Sequence, residues 1–398
     1  MTIPLYWTEE QLDFSFAAQV NPDVEKLCTC IQCGSCTALC PTANLMDISP
    51  RQLLGLIRLG FKDEALHSQT FWLCTTCKAC TVHCPRGIPL SDTMIALKTY
   101  AVREELQVPK GLSLLRDTVK ATHNISGDLN EERLMWSENL PQHLTGIQGK
   151  TGADLLYFVG CIASFFPRTQ SIPQAFGRIL NHAGISFTTM GGLEWCCGYP
   201  LYNAGMRDEM PDLVEHNLAQ IRKLGVSKLV TTCPSCFYAW THLYPQFANL
   251  PANLTIVHAS QFLAELLDSR RITPGVLPRV VTYHDPCDLG RKSEEYAAPR
   301  YILKKIAGVE LREMANTCDS ALCCGGGGDV EIFDDEATTG VAMRRLQQAL
   351  NVQADTIVSA CQQCKRTLLN AAQRLRQPVK VLDVAEVVWE AIRHRAER

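Results

Sequence analysis

Two stretches of the chain contain short apolar runs and amphipathic segments in the same order. In the first, residues 154–160 and 228–232 are apolar runs that end at cysteines, and residues 172–182 carry apolar side chains at helical spacing. Apolar runs that lead to cysteines return at residues 279–284 and 356–360. Short β-rich runs that alternate with helices are typical of parallel βαβ units. The pattern therefore predicts two α/β domains with parallel sheets.

The part of the chain that precedes these stretches follows a different pattern. Ser49 is a suitable N-cap and Pro50 a suitable first helical residue, so a helix is predicted to begin there. Residues 103–150 are polar, lack cysteine and contain proline and glycine, which predicts a helical connector with loops.

Composition and charge exclude several classes of protein. The 398 residues are 46% hydrophobic and 20% charged, which excludes a disordered chain. The net charge of −3 gives no electrostatic case for nucleic-acid binding. No secretory signal and no apolar run of membrane-spanning length is visible, so we expect a cytoplasmic protein. In a reducing compartment, the 20 cysteines are expected to be metal ligands or redox groups rather than disulfides.

The N-terminal cysteines form two runs with the spacing C-x2-C-x2-C-x3-C-P. This is the bacterial ferredoxin run, whose fourth cysteine binds the other cluster in two-cluster proteins. A zinc ribbon needs only four ligands in two CxxC pairs and is disfavoured. The sequence thus predicts two cubane [4Fe–4S] clusters, with Cys28 an uninvolved thiol. Their ligands would be Cys30, Cys33, Cys36 and Cys84 for the first cluster, and Cys74, Cys77, Cys80 and Cys40 for the second.

The later cysteines form two copies of a five-residue set, offset by 126 to 128 residues, which indicates an internal duplication. Five thiolates exceed the four that a cubane or a tetrahedral zinc needs. Glycine follows each adjacent cysteine pair, at Gly198 and at residues 325–328, and permits close backbone approach to bound sulfur. The first cysteine set is Cys161, Cys196, Cys197, Cys233 and Cys236, and the second cysteine set is Cys287, Cys323, Cys324, Cys361 and Cys364.

The pattern C-x34-CCG-x34-CPSC, repeated as PC-x35-CCG-x35-CQQC with three further glycines directly after the second CCG, resembles the CCG domains of heterodisulfide reductase. A ferredoxin block ahead of two such domains resembles the fused catalytic subunit of the membrane-linked enzyme, over nearly the whole chain. The connector segments HNISG at 123–127 and ERLMW at 132–136 are a weaker match. The expected organisation is a dicluster ferredoxin domain at 1–102, a connector at 103–150 and two CCG domains at 151–273 and 274–398.

The resemblance implies a noncubane [4Fe–4S] cluster on each of the two cysteine sets and a low-molecular-weight disulfide reduced between them. It implies an oxidoreductase that works as one subunit of a complex. The partner would be a flavoprotein, a membrane cytochrome, or a hydrogenase or formate dehydrogenase module, and a partner could hold the chain at the inner face of a membrane. No flavin or nicotinamide fingerprint is present, so neither cofactor is expected on this chain.

A second function stays open at this point. The iron–sulfur subunits of glycolate oxidase and anaerobic glycerol-3-phosphate dehydrogenase share the architecture, so the chain could instead relay electrons for a flavin-dependent dehydrogenase. Both cysteine sets are intact, which favours the reductase. His284 is expected to be structural, with proton donation to a thiolate as the alternative, and Cys318 is expected to be a free thiol. Side chains that could bind an anionic substrate are Arg168, Arg291, Lys292 and Lys365.

Overall fold

The computed structural model describes residues 12–21, 23–138 and 146–396. Residues 1–11 and 22 of the predicted ferredoxin domain lie outside this part, as do residues 139–145 of the predicted connector and the last two residues of the chain.

The described residues before the first sheet are helical. Helix α4 begins where the sequence predicts: Ser49 Oγ accepts from the Gln52 N–H, the Gln52 side chain accepts from the Ser49 N–H, and Pro50 is the first helical residue. Helices α3 and α6 are single turns inside the two cysteine runs, each preceded by a residue with positive φ, Gly34 or Lys78. The helices are α1 Phe16–Val20, α2 Val24–Cys28, α3 Ser35–Ala38, α4 Pro50–Arg58, α5 Lys62–His67, α6 Ala79–Val82, α7 Leu90–Arg103, α8 Lys110–Thr122 and α9 Met135–Glu138.

The first α/β domain is built on a four-stranded parallel sheet of order β2-β1-β3-β4. Its two central strands, β1 and β3, are the apolar runs that the sequence predicts. Its elements are β1 Leu155–Phe158, α10 Cys161–Phe165, α11 Ser171–His182, β2 Phe187–Thr188, α12 Tyr199–Asn203, α13 Met210–Leu224, β3 Lys228–Thr231, α14 Pro234–Tyr238, β4 Thr255–His258 and α15 Ala259–Asp268.

The second α/β domain repeats this topology, with a parallel sheet of order β6-β5-β7-β8. Because the order matches strand for strand, the duplication seen in the cysteine spacing extends to the fold, and the predicted α/β class is confirmed. Its elements are β5 Arg279–His284, α16 Ala297–Lys305, β6 Val309–Leu311, α17 Asp335–Asn351, β7 Thr356–Ser359, α18 Gln362–Arg374, β8 Lys380–Asp383 and α19 Val384–Ala396.

A single apolar core joins the two sheets. Helix α11 packs against α19, and Phe176 and Val388 from these helices lie fully buried in one cluster with Tyr157 of β1 and Tyr283 of β5. Burial of apolar side chains is worth roughly 1.5–3 kcal/mol for each one removed from water, so this shared core holds the two domains in a fixed relation. The carboxyl ends of β1, β3, β5 and β7 are therefore fixed relative to one another.

Candidate functional site

Both cysteine sets open on one cavity of about 510 Å³. Cys161 and Cys233 follow β1 and β3, and Cys287 and Cys361 follow β5 and β7, so four of the cysteines stand at carboxyl ends of central strands. This is where open parallel sheets place their sites. The cysteines that line the cavity are Cys161, Cys196, Cys197, Cys233, Cys236, Cys287, Cys324, Cys361 and Cys364.

In each set, one thiol of the adjacent cysteine pair has a lowered pKa and therefore ionises more readily than a free thiol. Hydrogen bonds from the Cys196 and Cys236 thiols lower the pKa of Cys197 to about 6. The equivalent residue of the second set is Cys324, whose pKa is lowered by hydrogen bonding with the thiols of Cys323 and Cys364. The Cys324 and Cys364 sulfurs lie only 3.1 Å apart. Because the thiolate is the form that binds metal, both pairs have the chemistry of a metal site.

Backbone amides point at these sulfurs, as the glycines in the sequence predicted. The N–H of Gly198 donates to Cys196 Sγ at 3.4 Å, and the N–H of Gly325 donates to Cys323 Sγ at 3.3 Å. Both glycines have a φ above +80°, a conformation that favours glycine over other residues. Amide hydrogen bonds to sulfur are one means by which a protein tunes an iron–sulfur cluster.

One ring nitrogen of His284 is a buried hydrogen-bond donor beside the second cysteine set. Its Nδ1 accepts from Arg345 Nε at 3.0 Å, and burial holds its pKa well below the usual range, so the neutral ring carries its proton on Nε2. Nε2 is buried and has no hydrogen-bond partner among the described residues. One imidazole nitrogen lies within 4.8 Å of the Cys324 and Cys364 sulfurs. A buried, unpaired donor next to clustered thiols fits a site that holds a sulfur-rich group.

The ten thiols of the two cysteine sets also fit iron–sulfur clusters. All donors are thiols, which suit iron–sulfur clusters and zinc, and each set has one more sulfur than a tetrahedral zinc would use. Nine of the ten side chains are buried and Cys287 is half-buried.

The N-terminal cysteines lie around the turns α3 and α6. Cys84 lines a small cavity together with Cys30, Cys33 and Cys36 of the first run, and Cys80 lines the same cavity. Burial, reinforced by the neighbouring thiols of Cys74 and Cys77, raises the pKa of Cys40 to about 12. The structure thus brings the fourth cysteine of each run close to the other run. The division of ligands between two clusters stays a prediction.

The glycine run joins the second set to the N-terminal domain. A Cβ on Gly327 or Gly328 would clash with the backbone of Thr75 or Cys74. Cys323 faces the same loop, where its thiol hydrogen-bonds with that of Cys77 and lies 3.7 Å from Thr75 Oγ1. The run therefore permits direct backbone contact between two of the predicted cluster sites.

Arg133 and Glu194 form a buried ion pair at the first set that the sequence does not predict. The guanidinium of Arg133 donates to Glu194 Oε1 at 3.0 Å and to Cys161 Sγ at 3.6 Å, and both side chains are 1% exposed. The carboxylate also accepts from the N–H groups of Val159 and Gly160, which lead into the cysteine turn. In the sequence, the ERLMW segment that contains Arg133 indicates only a family likeness, because no local pattern indicates a partner 61 residues away.

Replacing Arg133 with methionine should lower the free energy of unfolding by about 3–5 kcal/mol, because Glu194 would remain buried without its partner. Urea denaturation followed by circular dichroism measures the change. The matched control is Arg116→Met, which removes an exposed pair with Asp117 and should cost less than about 1 kcal/mol. Equal losses in the two variants would show that the buried pair has no special role.

The four candidate anion-binding side chains are all engaged by protein groups. Arg291 Nε donates to the Cys77 carbonyl at 2.6 Å, and Lys292 pairs with Asp288 at 2.9 Å. Lys365 pairs with Glu386 at 2.7 Å, and Arg168 donates to Asn370 at 2.6 Å. None of the four lines the cavity, and neither do Cys28, which is exposed, and Cys318, which is half-buried.

The chain resembles known proteins over most of its length. Residues 29–89 match the family described as 4Fe-4S dicluster domain, and residues 155–240 and 281–369 each match the family described as cysteine-rich domain (CCG). A subunit of the dihydromethanophenazine:CoB–CoM heterodisulfide reductase of Methanosarcina barkeri is 30% identical, over 92% of this chain and 94% of its own. The EtfAB:quinone oxidoreductase of Syntrophomonas wolfei is 27% identical over 93% of this chain and 59% of its own.

Solved structures support the fold alone. A crystal structure of a hypothetical protein from Helicobacter pylori superposes with a TM-score of 0.60 at 10% identity, covering 93% of this chain and 72% of that one. Within the described ranges, no helix has the length and apolar character that crossing a membrane requires.

Proposed function

This chain belongs to the heterodisulfide reductase family of iron–sulfur proteins, and from that premise we propose that it reduces a disulfide in the cavity between its two cysteine sets. As a member of this family, the chain is an iron–sulfur component of an oxidoreductase complex. The proposal adds one noncubane [4Fe–4S] cluster on each cysteine set and two cubanes on the N-terminal cysteines. The observation that carries it is that both sets open on one cavity.

Reduction of a disulfide breaks one S–S bond and consumes two electrons and two protons, giving two thiols. When bound, two clusters supply one electron each, and a partner redox protein is the reductant. Relatives that are named as parts of redox complexes support such a partner. The candidates remain a flavoprotein, a membrane cytochrome, and a hydrogenase or formate dehydrogenase module.

Two buried contacts fix the width of the cavity. Asp288 of the second domain accepts from Tyr199 Oη and Ser235 Oγ of the first, each at 2.6 Å, and pairs with Lys292 at 2.9 Å. Since Tyr199 and Ser235 neighbour cysteines of the first set, and Asp288 follows Cys287, this contact ties one set to the other.

The second contact is made by Gln362, which lies between the cysteines of the CQQC turn and is fully buried. Its Oε1 accepts from the Ala163 N–H at 3.0 Å, and its Nε2 donates to the Val159 carbonyl at 2.8 Å and to Thr232 Oγ1 at 2.9 Å. A side chain of the second domain thereby completes the backbone hydrogen bonding of the first, next to Cys161 and Cys233. Both sets are held in place before a substrate arrives, as preorganised catalysis requires.

Iron content tests the cluster assignment. We expect roughly 16 iron atoms and as many acid-labile sulfides per chain after anaerobic purification and reconstitution, from four clusters of four iron atoms each. Iron and sulfide analysis measures both, with zinc determined in the same sample. A value near about 8 iron atoms, or zinc in place of iron, would overturn the assignment of clusters to the two cysteine sets.

A further inference from the structure

The predicted cubane site of the first run lies nearest to the protein surface. Cys33 is the only exposed thiol among the predicted cluster ligands, all of which lie in the described part of the chain. The other three ligands of this cubane are half-buried, whereas Cys74 and Cys77 of the second run are buried, as are nine of the ten thiols in the two cysteine sets. A protein that docks from outside therefore comes closer to this site than to the other predicted clusters.

Close contacts lead inward from this site. Cys84 of the second run lines the same small cavity as the first-run cysteines, and so does Cys80. Elsewhere in the second run, the Cys77 thiol hydrogen-bonds with that of Cys323 in the second cysteine set. The first run is thus joined through the second run to the second cysteine set. An outside donor has access at the exposed end of this series.

Three exposed cations lie beside the first run and form what we call the basic rim, Lys26, Arg51 and Arg86. Arg51 lines the small cavity together with the first-run cysteines. Lys26 lies against Gly87, with its Cε 3.2 Å from the position of a Cβ built there, and Arg86 is the preceding residue. None of the three forms an ion pair within the part of the chain that the structure describes.

Positive charge exceeds negative charge in this part of the surface. Behind the basic rim, the guanidinium of Arg58 donates to the carbonyl oxygen of Cys30 at 3.0 Å. The segments that carry these four cations contain two carboxylates, of which Asp23 is engaged as the N-cap of α2 and Glu25 is exposed. No carboxylate lines the small cavity among the described residues. Four cations and two carboxylates give these segments a net charge of +2 on a chain whose net charge is −3; the segments are residues 23–36, 50–58 and 84–88.

Ile31 gives this surface an apolar centre. Its side chain is 64% exposed, and it directly follows Cys30 in the first run. Isolated exposed hydrophobic residues are common on protein surfaces. This one, however, lies between two predicted cluster ligands, Cys30 and Cys33, at a site flanked by the basic rim. An apolar centre with polar residues around it is the usual arrangement of a protein interface.

We propose that the surface formed by Ile31, Cys33 and the basic rim is the docking surface of the electron donor, and that the donor is a protein with acidic residues around its own redox cofactor. The inference rests on the proposed function and specifies the partner that this function requires. Each transfer oxidises the donor by one electron and reduces this chain by one electron. Opposite charges on the two surfaces speed the encounter, and dissolved salt weakens this effect.

Electron transfer from an acidic flavodoxin tests the proposal. Flavodoxin in its hydroquinone state is mixed, in a stopped-flow instrument, with the oxidised, fully clustered, full-length protein and no disulfide. The second-order rate constant should fall at least about tenfold between low and high salt, because screening removes the attraction between the two surfaces. With the methyl viologen radical, a small cation, added salt should not slow the reaction.

A matched pair of triple variants locates the docking surface. Reversing the charge of the basic rim, by Lys26→Glu, Arg51→Glu and Arg86→Glu together, should lower the low-salt rate constant at least about tenfold and remove most of its salt dependence. Calorimetric titration with oxidised flavodoxin should give a dissociation constant raised by a similar factor.

The control reverses three exposed cations of the α/β domains that form no ion pair with described residues. It should change both the rate constant and the dissociation constant by less than about twofold. Its substitutions are Lys223→Glu, Lys304→Glu and Lys380→Glu.

Iron content and reduction by methyl viologen show whether the clusters remain in the variants. Both should be unchanged, because no substituted side chain is a predicted ligand. A rim variant that lost iron but bound flavodoxin as tightly as wild type would show that the cations serve the cluster rather than a partner, and the proposal would be wrong.

Other results would also overturn the docking surface. These are equal losses in the two triple variants, a wild-type rate constant that salt does not change, and binding of wild type to phosphatidylglycerol vesicles through the basic rim without binding to flavodoxin. The reductase proposal is tested separately, because no disulfide is present in these measurements. Protein that accepts electrons at the basic rim but afterwards reduces no disulfide would refute the reductase proposal and leave the docking surface intact.

Discussion

Cys324→Ala should abolish disulfide reduction, by at least about three orders of magnitude, as expected when a residue that touches the reacting centre is removed. Its sulfur lines the cavity, lies 3.1 Å from Cys364 and is the thiol of the second set with the lowered pKa. The N-terminal clusters should still be reduced by dithionite, because their predicted ligands are unchanged. Turnover with reduced methyl viologen measures the loss, and the visible spectrum reports the remaining clusters.

The control for this prediction is Cys318→Ala, which removes a half-buried thiol outside the cavity a few residues earlier. It should leave the rate unchanged, so a loss specific to Cys324 cannot be assigned to thiol removal in general. Disulfide reduction by Cys324→Ala at the wild-type rate would show that the second cysteine set is not where the disulfide reacts.

Gly328→Ala should slow the arrival of electrons at the cavity and lower stability by about 1–3 kcal/mol, the usual effect of forcing an extra methyl group into packed structure. The added Cβ would clash with the Cys74 carbonyl and lie 2.9 Å from Thr75 Cα, so the backbone must move. That movement would separate the Cys323 side of the second set from the loop that carries Cys77. Stopped-flow reduction measures how fast clusters beyond the N-terminal domain respond to a donor.

Gly225→Ala is a closely matched control. Gly225 has a φ of +67° against +66° for Gly328, but no atom lies within 4 Å of a Cβ built at Gly225. The two variants therefore share the strain of a positive φ and differ in the clash. Equal effects on the electron arrival rate would mean that contact between the glycine run and the Cys74 loop does not matter for transfer.

The fold class followed from local signals. The apolar runs at β1, β3, β5 and β7 are central strands covered on both sides, so they have a clear hydrophobic pattern. The sequence does not single out the outer strands. Strand β2 has two residues, and β4 and β8 each begin with exposed residues, so their patterns are weak.

The site could be predicted only where its chemistry repeats along the chain. The cysteine sets and the glycines that follow each adjacent cysteine pair are local patterns of this kind. The Arg133–Glu194 pair and the Gln362 contact join residues that are distant in sequence, and nothing local indicates the partner. From the sequence, Arg291 and Lys365 are either possible anion ligands or solvated side chains. In the structure both are buried and hydrogen-bonded to other groups of the protein.

His284 shows how both kinds of information are needed. The sequence places it three residues before Cys287 and favours a structural role, which the Arg345 hydrogen bond supports. The structure adds that its other nitrogen is buried without a partner among the described residues, beside two cysteines. At the corresponding position of the first domain, the last residue of β1 is Phe158. The duplicated sites are therefore not chemically equivalent.

The central claim is that substrate sulfur reacts at the cavity between the two cysteine sets. The most direct measurement is EPR spectroscopy of the oxidised, fully clustered protein, recorded anaerobically with and without a panel of small thiols that includes 2-mercaptoethanol. We expect a new signal that depends on thiol in wild type and is lost in Cys324→Ala. A spectrum that no thiol changes, in protein with about 16 iron atoms per chain, would contradict the account and favour an electron-relay role beside a flavin-dependent dehydrogenase.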